Sequence, residues 1–395
     1  IAETGGLNAM IVDSTALPEQ AVRDIVTSAF QSAGQRCSAL RMLYVQEDIA
    51  EPFLEMLKGA MDELVVGDPW SLKTDIAPVI SDMARADIQA HVEAARSQGR
   101  LIKQLETPEA GHFIGPALIS LQDGIAGLER EVFGPVLHVA TYRAEDMLKV
   151  VDAINARGFG LTFGMHSRID DRVQEVSARL KTGNIYVNRN QIGAIVGSQP
   201  FGGEGLSGTG PKAGGPSYLP RFTQHAVQSA PAAKEETADV AAVQSALDRL
   251  DPPLQTALST QSLPGPTGES NRLSTYARGR VLCLGPDAEN ALAQASIAQA
   301  TGCTTLAIAT GLGAKGVDGQ LAPEALTQLT GFDAVIYWGD AETARAYATA
   351  LAAREGALIP LILEADPTPR LTLERHICID TTAAGGNATL LAAAA

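Results

Sequence analysis

The chain has 395 residues, of which 45% are apolar and 19% charged, and it carries a net charge of −15 with a pI near 4.9. This composition allows two folded domains and argues against a nucleic-acid-binding protein, because an acidic surface repels phosphates. Four cysteines are too few for a disulfide scaffold and favour a reducing, cytoplasmic compartment, and no apolar run reaches the roughly 20 residues of a membrane span.

Strands and helices are predicted to alternate through residues 1–228. The opening, IAETGG, has no methionine and no leading element, which indicates a fragment of a longer polypeptide. Apolar periodicity then predicts strands at 8–13, 41–46, 136–142, 161–167 and 183–188, and helices at 17–34, 49–64, 81–99, 144–157 and 170–181. This alternation predicts the α/β class, with an open, mainly parallel sheet covered by helices.

The composition changes after this first region. Residues 229–278 are rich in Ala, Pro, Ser and Thr and are predicted to form a linker with one or two short helices. Residues 279–370 again alternate strands and helices, which predicts a small doubly wound domain. Residues 371–395 form a separate segment, in which HICIDTT alternates like an exposed strand and AAGGN is a turn.

Cys37 lies in SAGQRCSA, between an arginine and a serine in a glycine-bearing turn. A cysteine in such a turn can face a substrate, and a thiol becomes a nucleophile when its thiolate is accessible and a base is near. Glu3, in ETGG, is a candidate base, since one strand and one helix separate it from Cys37 and can return the chain to the same cleft. Gly5 would let the backbone approach a planar ligand closely.

Two further motifs follow in the sequence. EVFGP places Glu131 two residues before Phe133, at a Gly-Pro turn. PFGGEGLSGTG contains five glycines behind Phe201 and is suited to fold over the mouth of a pocket.

These four motifs, in this order, resemble those of the aldehyde dehydrogenase superfamily. ETGG resembles the motif of its general base, GQRC that of its nucleophile, EVFGP that of its cofactor ribose site, and PFGGEGLSG its C-terminal signature. The resemblance implies the catalytic-domain sheet of that family. It also implies that Cys37 attacks the aldehyde and Glu3 activates water, that Glu131 and Phe133 contact NAD with Gly5 beside them, and that Phe201 lines the aldehyde pocket.

The resemblance extends to the L-glutamate γ-semialdehyde dehydrogenases, formerly called 1-pyrroline-5-carboxylate dehydrogenases, and to the bifunctional proline utilization flavoenzymes. It is carried by GQRCSA and by NRNQIGAIVGSQPFGGEGLSGTGPKAGGPSYLPRF. It implies that Gly193 and Ala194 bind the α-carboxylate of glutamate semialdehyde, assisted by Ser38. Small residues in a turn expose the N–H donors that a carboxylate needs.

Parts of the implied enzyme are expected upstream of this chain. They are the portion that holds most of the NAD, an asparagine of the oxyanion hole, and the proline dehydrogenase part with its FAD. The resemblance also implies that residues 279–370 are an inserted Rossmann-like domain, and that the segment after it returns to a β-flap of the dehydrogenase. The oligomeric state is not fixed by the sequence, and a homodimer is one alternative.

Other readings of the same residues stay open at this stage. Glu131 can cap a turn, and Ser38 can bond the local backbone. Cys283 and Cys303 lie in or beside apolar strands and are predicted to be core, and Cys378 is predicted to be a strand residue. The histidines have no metal-ligand spacing, so no metal site is predicted.

GLGAKG, at residues 311–316, matches the G-x-G-x-x-G pattern of dinucleotide sites. The residues after it, VDGQLAPE, do not open a helix, which favours a plain loop. Two alternatives therefore remain for the second domain, a lid that seals a tunnel and supports assembly, or a dinucleotide-binding module.

Overall fold

The computed structural model describes residues 1–223, 226–227 and 237–382. These residues form two compact units. The first unit contains 2–208, 262–272 and the described residues from 376 onward, and the second contains Ile1 and the described parts of 209–261 and 273–375. Among the described residues, no helix is both long and apolar enough to cross a membrane.

The first unit is built on a ten-stranded sheet. The strands of this unit are β1 (Ala9–Val12), β2 (Met42–Gln46), β3 (Leu101–Gln104), β4 (Ala117–Ser120), β5 (Val136–Tyr142), β6 (Phe159–Gly160), β7 (Thr162–His166), β8 (Asn184–Val187) and β9 (Glu204–Gly205). Of these, the short β6 and β9 form a separate two-stranded sheet. Its helices are α1 (Pro18–Phe30), α2 (Glu47–Asp62), α3 (Asp82–Ser97), α4 (Met147–Ala156) and α5 (Asp170–Arg179). Three further strands contain residues of both units, namely β10 (Ser259–Leu263), β11 (Glu269–Ala277) and β16 (Thr372–Asp380).

The sheet has the order β10-β11-β16-β8-β7-β1-β2-β5-β4-β3. β1 pairs in parallel with both β2 and β7, whereas β3 and β4 are antiparallel. Alternate residues of β1 enter two different cores, with Met10 facing the side of α1 to α3 and Ile11 facing the side of α4 and α5. These parallel pairings confirm the predicted, mainly parallel α/β sheet. β1 is apolar throughout because it is covered on both faces.

The second unit has a four-stranded parallel sheet. Its elements are α6 (Val240–Asp248), β12 (Arg280–Cys283), α7 (Ala288–Ala300), β13 (Thr304–Ala307), β14 (Ala334–Ile336), α8 (Ala341–Ala352) and β15 (Leu361–Ile362). The strand order is β13-β12-β14-β15. Cys283 and Cys303 are buried in its core, as the sequence predicted.

The prediction for 229–278 was wrong in one respect. α6 is a short helix as expected, and its Val243 and Leu247 pack in the core of the second unit. Residues 259–277, however, are largely the strands β10 and β11, in which hydroxyl side chains pair, as in Thr260 with Ser274 at 2.8 Å. The sequence did not indicate these strands, because their side chains are mainly polar and the strands flank a Gly/Pro turn.

The strand predicted in HICIDTT exists, but it is not exposed. β16 pairs in parallel with β8 of the same chain, and His376, Cys378 and Ile379 are fully buried. β16 lies inside the sheet order, between β8 and β11, so both of its backbone edges face neighbouring strands. The AAGGN turn lies outside the described residues.

Candidate active site

Three of the four motifs lie at the amino ends of parallel strands in the first unit. ETGG precedes β1, GQRCSA precedes β2 and EVFGP precedes β5. Because β1, β2 and β5 are parallel and adjacent, the loops before them open on the same edge of the sheet.

Cys37 lies in a tight turn whose entry is left-handed. Ser32, Ala33 and Gly34 have φ values of 58°, 53° and 66°. A Cβ on Gly34 would lie 2.1 Å from the carbonyl oxygen of Gly134, so this position requires glycine. The N–H of Ala39 then closes the turn on the carbonyl of Arg36 at 3.1 Å. Cys37 is partly exposed, whereas the other three cysteines are buried, and all four are free thiols.

Glu3 is held by the glycine-rich loop that follows Phe201. The N–H of Gly203 donates to the Glu3 carboxylate at 3.1 Å, and Glu3 forms an antiparallel bridge with Gly208. The hydroxyl of Ser207 donates to the carbonyl of Gly5 at 2.9 Å. The general-base motif therefore contacts the C-terminal signature, which contains Phe201, although the two are about 200 residues apart along the chain.

Glu131 is engaged on both carboxylate oxygens. Oε1 accepts from Arg41 Nη2 at 3.0 Å, and Oε2 accepts from the N–H of Gly6 at 3.2 Å. A Cβ on Gly5 would lie 2.2 Å from Oε2, so glycine is required for this approach. Phe133, two residues further on, is 45% exposed and leaves part of its ring accessible.

The environment of Cys37 shifts the pKa of its thiol. Burial raises the pKa of the Cys37 thiol above its ordinary value, and the charges of Glu3 and then Glu131 raise it further. The backbone N–H groups of Ser38 and Cys37 lower this pKa in part. The thiol is therefore protonated near neutral pH in the resting protein, so that forming the thiolate needs a proton acceptor.

Arg41 is a residue that the sequence analysis missed. It is 1% exposed and donates to the carbonyls of Gly34 at 2.8 Å and Gly134 at 3.1 Å, as well as to Glu131. It also donates to the carbonyl of Arg36 at 3.1 Å. Burial lowers the pKa of Arg41, while Glu131 offsets this effect. Arg41 thus ties the turn before the nucleophile to the EVFGP turn, and its one signal in the sequence is a charge at the start of an apolar strand.

Two side-chain amides, also missed, hold the carbonyls that follow the nucleophile. Asn8 Nδ2 donates to the carbonyl of Cys37 at 2.7 Å and to that of Ala39 at 2.9 Å. Gln191 Nε2 donates to the carbonyl of Ser38 at 3.2 Å. Both amides are buried.

The segment predicted to bind a carboxylate is a loop after β8. Gly193 is exposed with φ of 73°, and Ala194 is partly exposed. Within the part of the chain that the structure describes, neither residue donates a backbone hydrogen bond to the protein. Ser38 is 6% exposed beside Cys37, and Gln191 links the start of the loop to the Ser38 carbonyl. The loop therefore has donors to offer and a direct connection to the nucleophile turn.

The GLGAKG loop of the second unit is closed by its own chain. Gly313–Lys315 is a short 3₁₀ turn instead of the first turn of a long helix. Asp318 accepts from the N–H of Gly311 at 2.7 Å and from that of Gly313 at 3.1 Å. A phosphate needs these donors, and a carboxylate of the chain already occupies them.

The other glycine turn of this unit is also closed. After β12, the side-chain amide of Gln294 donates to and accepts from the backbone of Gly285. Among residues 1–223, 226–227 and 237–382, no group of three or more His, Cys, Asp and Glu is placed to hold a metal ion.

Comparison with known proteins decides the family. The model of the aldehyde dehydrogenase family matches residues 1–227. The chain belongs to the aldehyde dehydrogenase family. Members of this family use a nicotinamide cofactor.

Two relatives make the resemblance specific. The bifunctional protein PutA of Salmonella typhimurium is 44% identical over 99% of this chain. The 1-pyrroline-5-carboxylate dehydrogenase of Geobacillus kaustophilus is 39% identical over 55% of this chain and 42% of its own length. The chain spans about a third, 33%, of the length of the Salmonella relative.

Solved structures of similar proteins agree. A mutant of Bradyrhizobium japonicum proline utilization A is 55% identical with a TM-score of 0.55, over 56% of this chain and 23% of that chain. The Thermus 1-pyrroline-5-carboxylate dehydrogenase with bound NAD is 35% identical with a TM-score of 0.51, over 56% of this chain and 42% of that chain.

Proposed function

We propose that this chain carries the nucleophile, the base and the substrate-anchoring loop of an NAD-dependent L-glutamate γ-semialdehyde dehydrogenase within a longer bifunctional enzyme of proline catabolism. The observation that carries the proposal is that the loops bearing Glu3, Cys37 and Glu131 open on one edge of the sheet, with Arg41 bonded both to Glu131 and to the turn of the partly exposed Cys37. Similarity to PutA proteins over nearly the whole chain supports the longer enzyme.

The proposed chemistry uses groups on the described residues. The Cys37 thiol gives up its proton to solvent, and the thiolate adds to the aldehyde carbon to form a thiohemiacetal, whose oxygen is stabilised by the backbone N–H of Cys37. Loss of a hydride leaves a thioester on Cys37. Glu3 takes a proton from water, the resulting hydroxide adds to the thioester, and expulsion of the thiolate releases glutamate.

Glu131, Phe133 and Gly5 fit the nicotinamide end of NAD. Gly5 leaves room for the Glu131 carboxylate to lie against the backbone, and the exposed Phe133 ring offers an apolar face. When bound, NAD supplies the acceptor for the hydride. Arg41 holds the Glu131 carboxylate in place and links it to the nucleophile turn. An FAD site belongs to the proline dehydrogenase part that we expect outside this chain.

The anchoring loop supports a carboxylate-bearing substrate. Gly193 and Ala194 have backbone donors that no described residue uses, and a carboxylate binds well in such a concave turn. Ser38, next to the nucleophile, would add a hydroxyl donor. The aldehyde carbon then lies near Cys37, with Phe201 lining the pocket.

A structural role for the second unit is favoured over a dinucleotide site. Asp318 and Gln294 already bind the glycine N–H groups that a phosphate would need. We propose that this unit has a structural role.

Replacing the proposed base tests the mechanism. In the natural polypeptide that carries this chain, Glu3→Gln should still form the thioester but hydrolyse it slowly, since the amide cannot accept the proton from water. Mass spectrometry after mixing with L-glutamate γ-semialdehyde and NAD should detect an acyl adduct on the Cys37 peptide, which the wild type does not accumulate. Turnover of Glu3→Gln at the wild-type rate would refute the role of Glu3.

A further inference from the structure

We infer that Asn8 is a positioning residue that fixes the orientation of the Cys37–Ser38 peptide unit, next to the Cys37 sulfur, by holding the carbonyl of that unit. This inference rests on the proposed role of Cys37 as the nucleophile. It assigns a function to an asparagine that lies outside the four recognised motif positions.

The argument begins with the geometry of one peptide bond. The carbonyl of Cys37 and the N–H of Ser38 belong to a single planar unit, and in a trans peptide they point in opposite directions. Asn8 Nδ2 donates to that carbonyl at 2.7 Å. The opposite end of the unit is the Ser38 N–H, whose partial positive charge opposes the rise in the pKa of the Cys37 thiol that burial causes.

Asn8 itself has little freedom to move. It is 2% exposed, and its Nδ2 also donates to the carbonyl of Ala39 at 2.9 Å. Its Oδ1 accepts from the N–H of Thr162 at 3.2 Å, at the start of β7. The amide therefore spans the first residue of the neighbouring strand and the nucleophile turn, so that the orientation of the turn is fixed by the central sheet.

The contact has a chemical consequence for the nucleophile. A hydrogen bond to a carbonyl polarises its amide and strengthens the N–H at the other end. A stronger and better aimed N–H stabilises the thiolate over the thiol. This effect opposes the burial and the two carboxylates, Glu3 and Glu131, that raise the pKa of Cys37.

Gln191 provides a matched control within the same turn. Its Nε2 holds the carbonyl of Ser38 at 3.2 Å, and the opposite end of that peptide unit is the N–H of Ala39. That N–H donates to the carbonyl of Arg36 at 3.1 Å and not to sulfur. Loss of the Gln191 contact should therefore loosen the turn without acting directly on the thiolate.

The test is the pH dependence of Cys37 alkylation by iodoacetamide in the natural polypeptide, with neither substrate nor cofactor present. The other three cysteines of this chain are buried, and a Cys37→Ala protein gives the background. Asn8→Leu keeps the side-chain volume but removes the hydrogen bond. In this variant the midpoint of the pH dependence of alkylation should rise by about 0.5 to 1 pH unit, which makes alkylation below the midpoint roughly three- to tenfold slower. In Gln191→Met the midpoint should stay at the wild-type value.

Two outcomes would overturn the inference. One is an unchanged midpoint in folded Asn8→Leu. The other is an equal shift in Asn8→Leu and Gln191→Met, since an equal shift indicates general loosening of the turn. If Asn8→Leu does not fold by near-ultraviolet circular dichroism, the smaller Asn8→Ala replaces it with the same expected rise. Alkylation by iodoacetamide does not depend on the proposed reaction. If the midpoint rises as expected in Asn8→Leu but the wild-type protein has no dehydrogenase activity, the inference stands and the proposed function is refuted.

Discussion

The two units of this chain use the same architecture and treat their polar loops in opposite ways. Each has a sheet that is wholly or mainly parallel and contains an interior strand buried on both faces, β1 in the first unit and β12 in the second. In the first unit, the loops bring carboxylates and amides around a partly exposed thiol at Cys37. In the second unit, Asp318 satisfies the glycine N–H groups of the loop that resembles a ligand site.

The difference shows that a glycine-rich loop after a strand is not sufficient for a site. What matters is whether the polar groups of the loop are already bonded within the chain. Gly193 and Ala194 keep unused donors among the described residues, whereas Gly311 and Gly313 do not. Two aspartates differ in burial as well, since Asp24 is buried in the first unit and Asp318 is exposed in the second.

The largest effect is expected from the nucleophile. In the natural polypeptide, Cys37→Ala should lower the rate of aldehyde oxidation by at least about a thousandfold, because the covalent step is lost. NAD binding, measured by fluorescence titration, should persist because Glu131 and Phe133 are unchanged. Substantial residual oxidation would show that the open loops of the first unit do not act through this thiol.

The substrate should show the next largest effect. If Gly193, Ala194 and Ser38 bind an α-carboxylate, kcat/KM for L-glutamate γ-semialdehyde should exceed that for butanal by at least about tenfold, since each hydrogen bond to a charged group contributes roughly 1.5–3 kcal/mol. Steady-state kinetics with both aldehydes measures the ratio. Equal values would mean that the unused donors of this loop do not anchor the substrate.

Asp24 is expected to affect stability in a pH-dependent way. Burial raises the pKa of Asp24 to about 6, against about 3.9 in an unfolded chain. The folded state therefore binds the proton more tightly, and the stability from this group is lost as the pH rises from about 4 through 6. Asp24→Asn should raise the free energy of unfolding by about 1–3 kcal/mol at pH 8, and the gain should disappear near pH 4.

Urea unfolding at pH 8, 6 and 4 measures this effect. Asp152→Asn is a suitable control, because Asp152 is an exposed partner of Arg179 at 2.6 Å and its replacement should give no gain at pH 8. His166 lies 3.8 Å from Asp24, and burial lowers the pKa of this histidine to about 4, so it stays neutral at pH 8. A loss of stability in Asp24→Asn at pH 8 would contradict the assignment.

The smallest effect is expected at Asp318. Hydrogen bonds from the N–H of Gly311 and then of Gly313 lower the pKa of Asp318. The carboxylate therefore protects these amides above its ordinary pKa, and the protection is lost as the pH falls through the lower folded value. In Asp318→Asn, both amides should exchange with deuterium faster at pH 7. Unchanged exchange would show that the loop is held by other contacts.

Much of the fold could be predicted because it depends on local patterns. Apolar periodicity located β1, α1, β2 and the doubly wound second unit to within a few residues. β3 and β4 were missed because they lie in a stretch with weak alternation, and β10 and β11 because their side chains are mainly polar. For β16 the strand was predicted but its burial was not, since pairing with β8 is a long-range event.

The sequence by itself determined the residue types and the order of the four motifs, and these were enough to indicate the family and to nominate Cys37, Glu3 and Glu131. Only the tertiary structure decided which side chains hold the site in shape. Arg41, Asn8 and Gln191 act mainly on backbone carbonyls, in contacts that reach 153 residues along the chain. Periodicity reports which side chains are buried, but a carbonyl is present at every residue, so the sequence carries no signal for which of them a buried amide or guanidinium will bind.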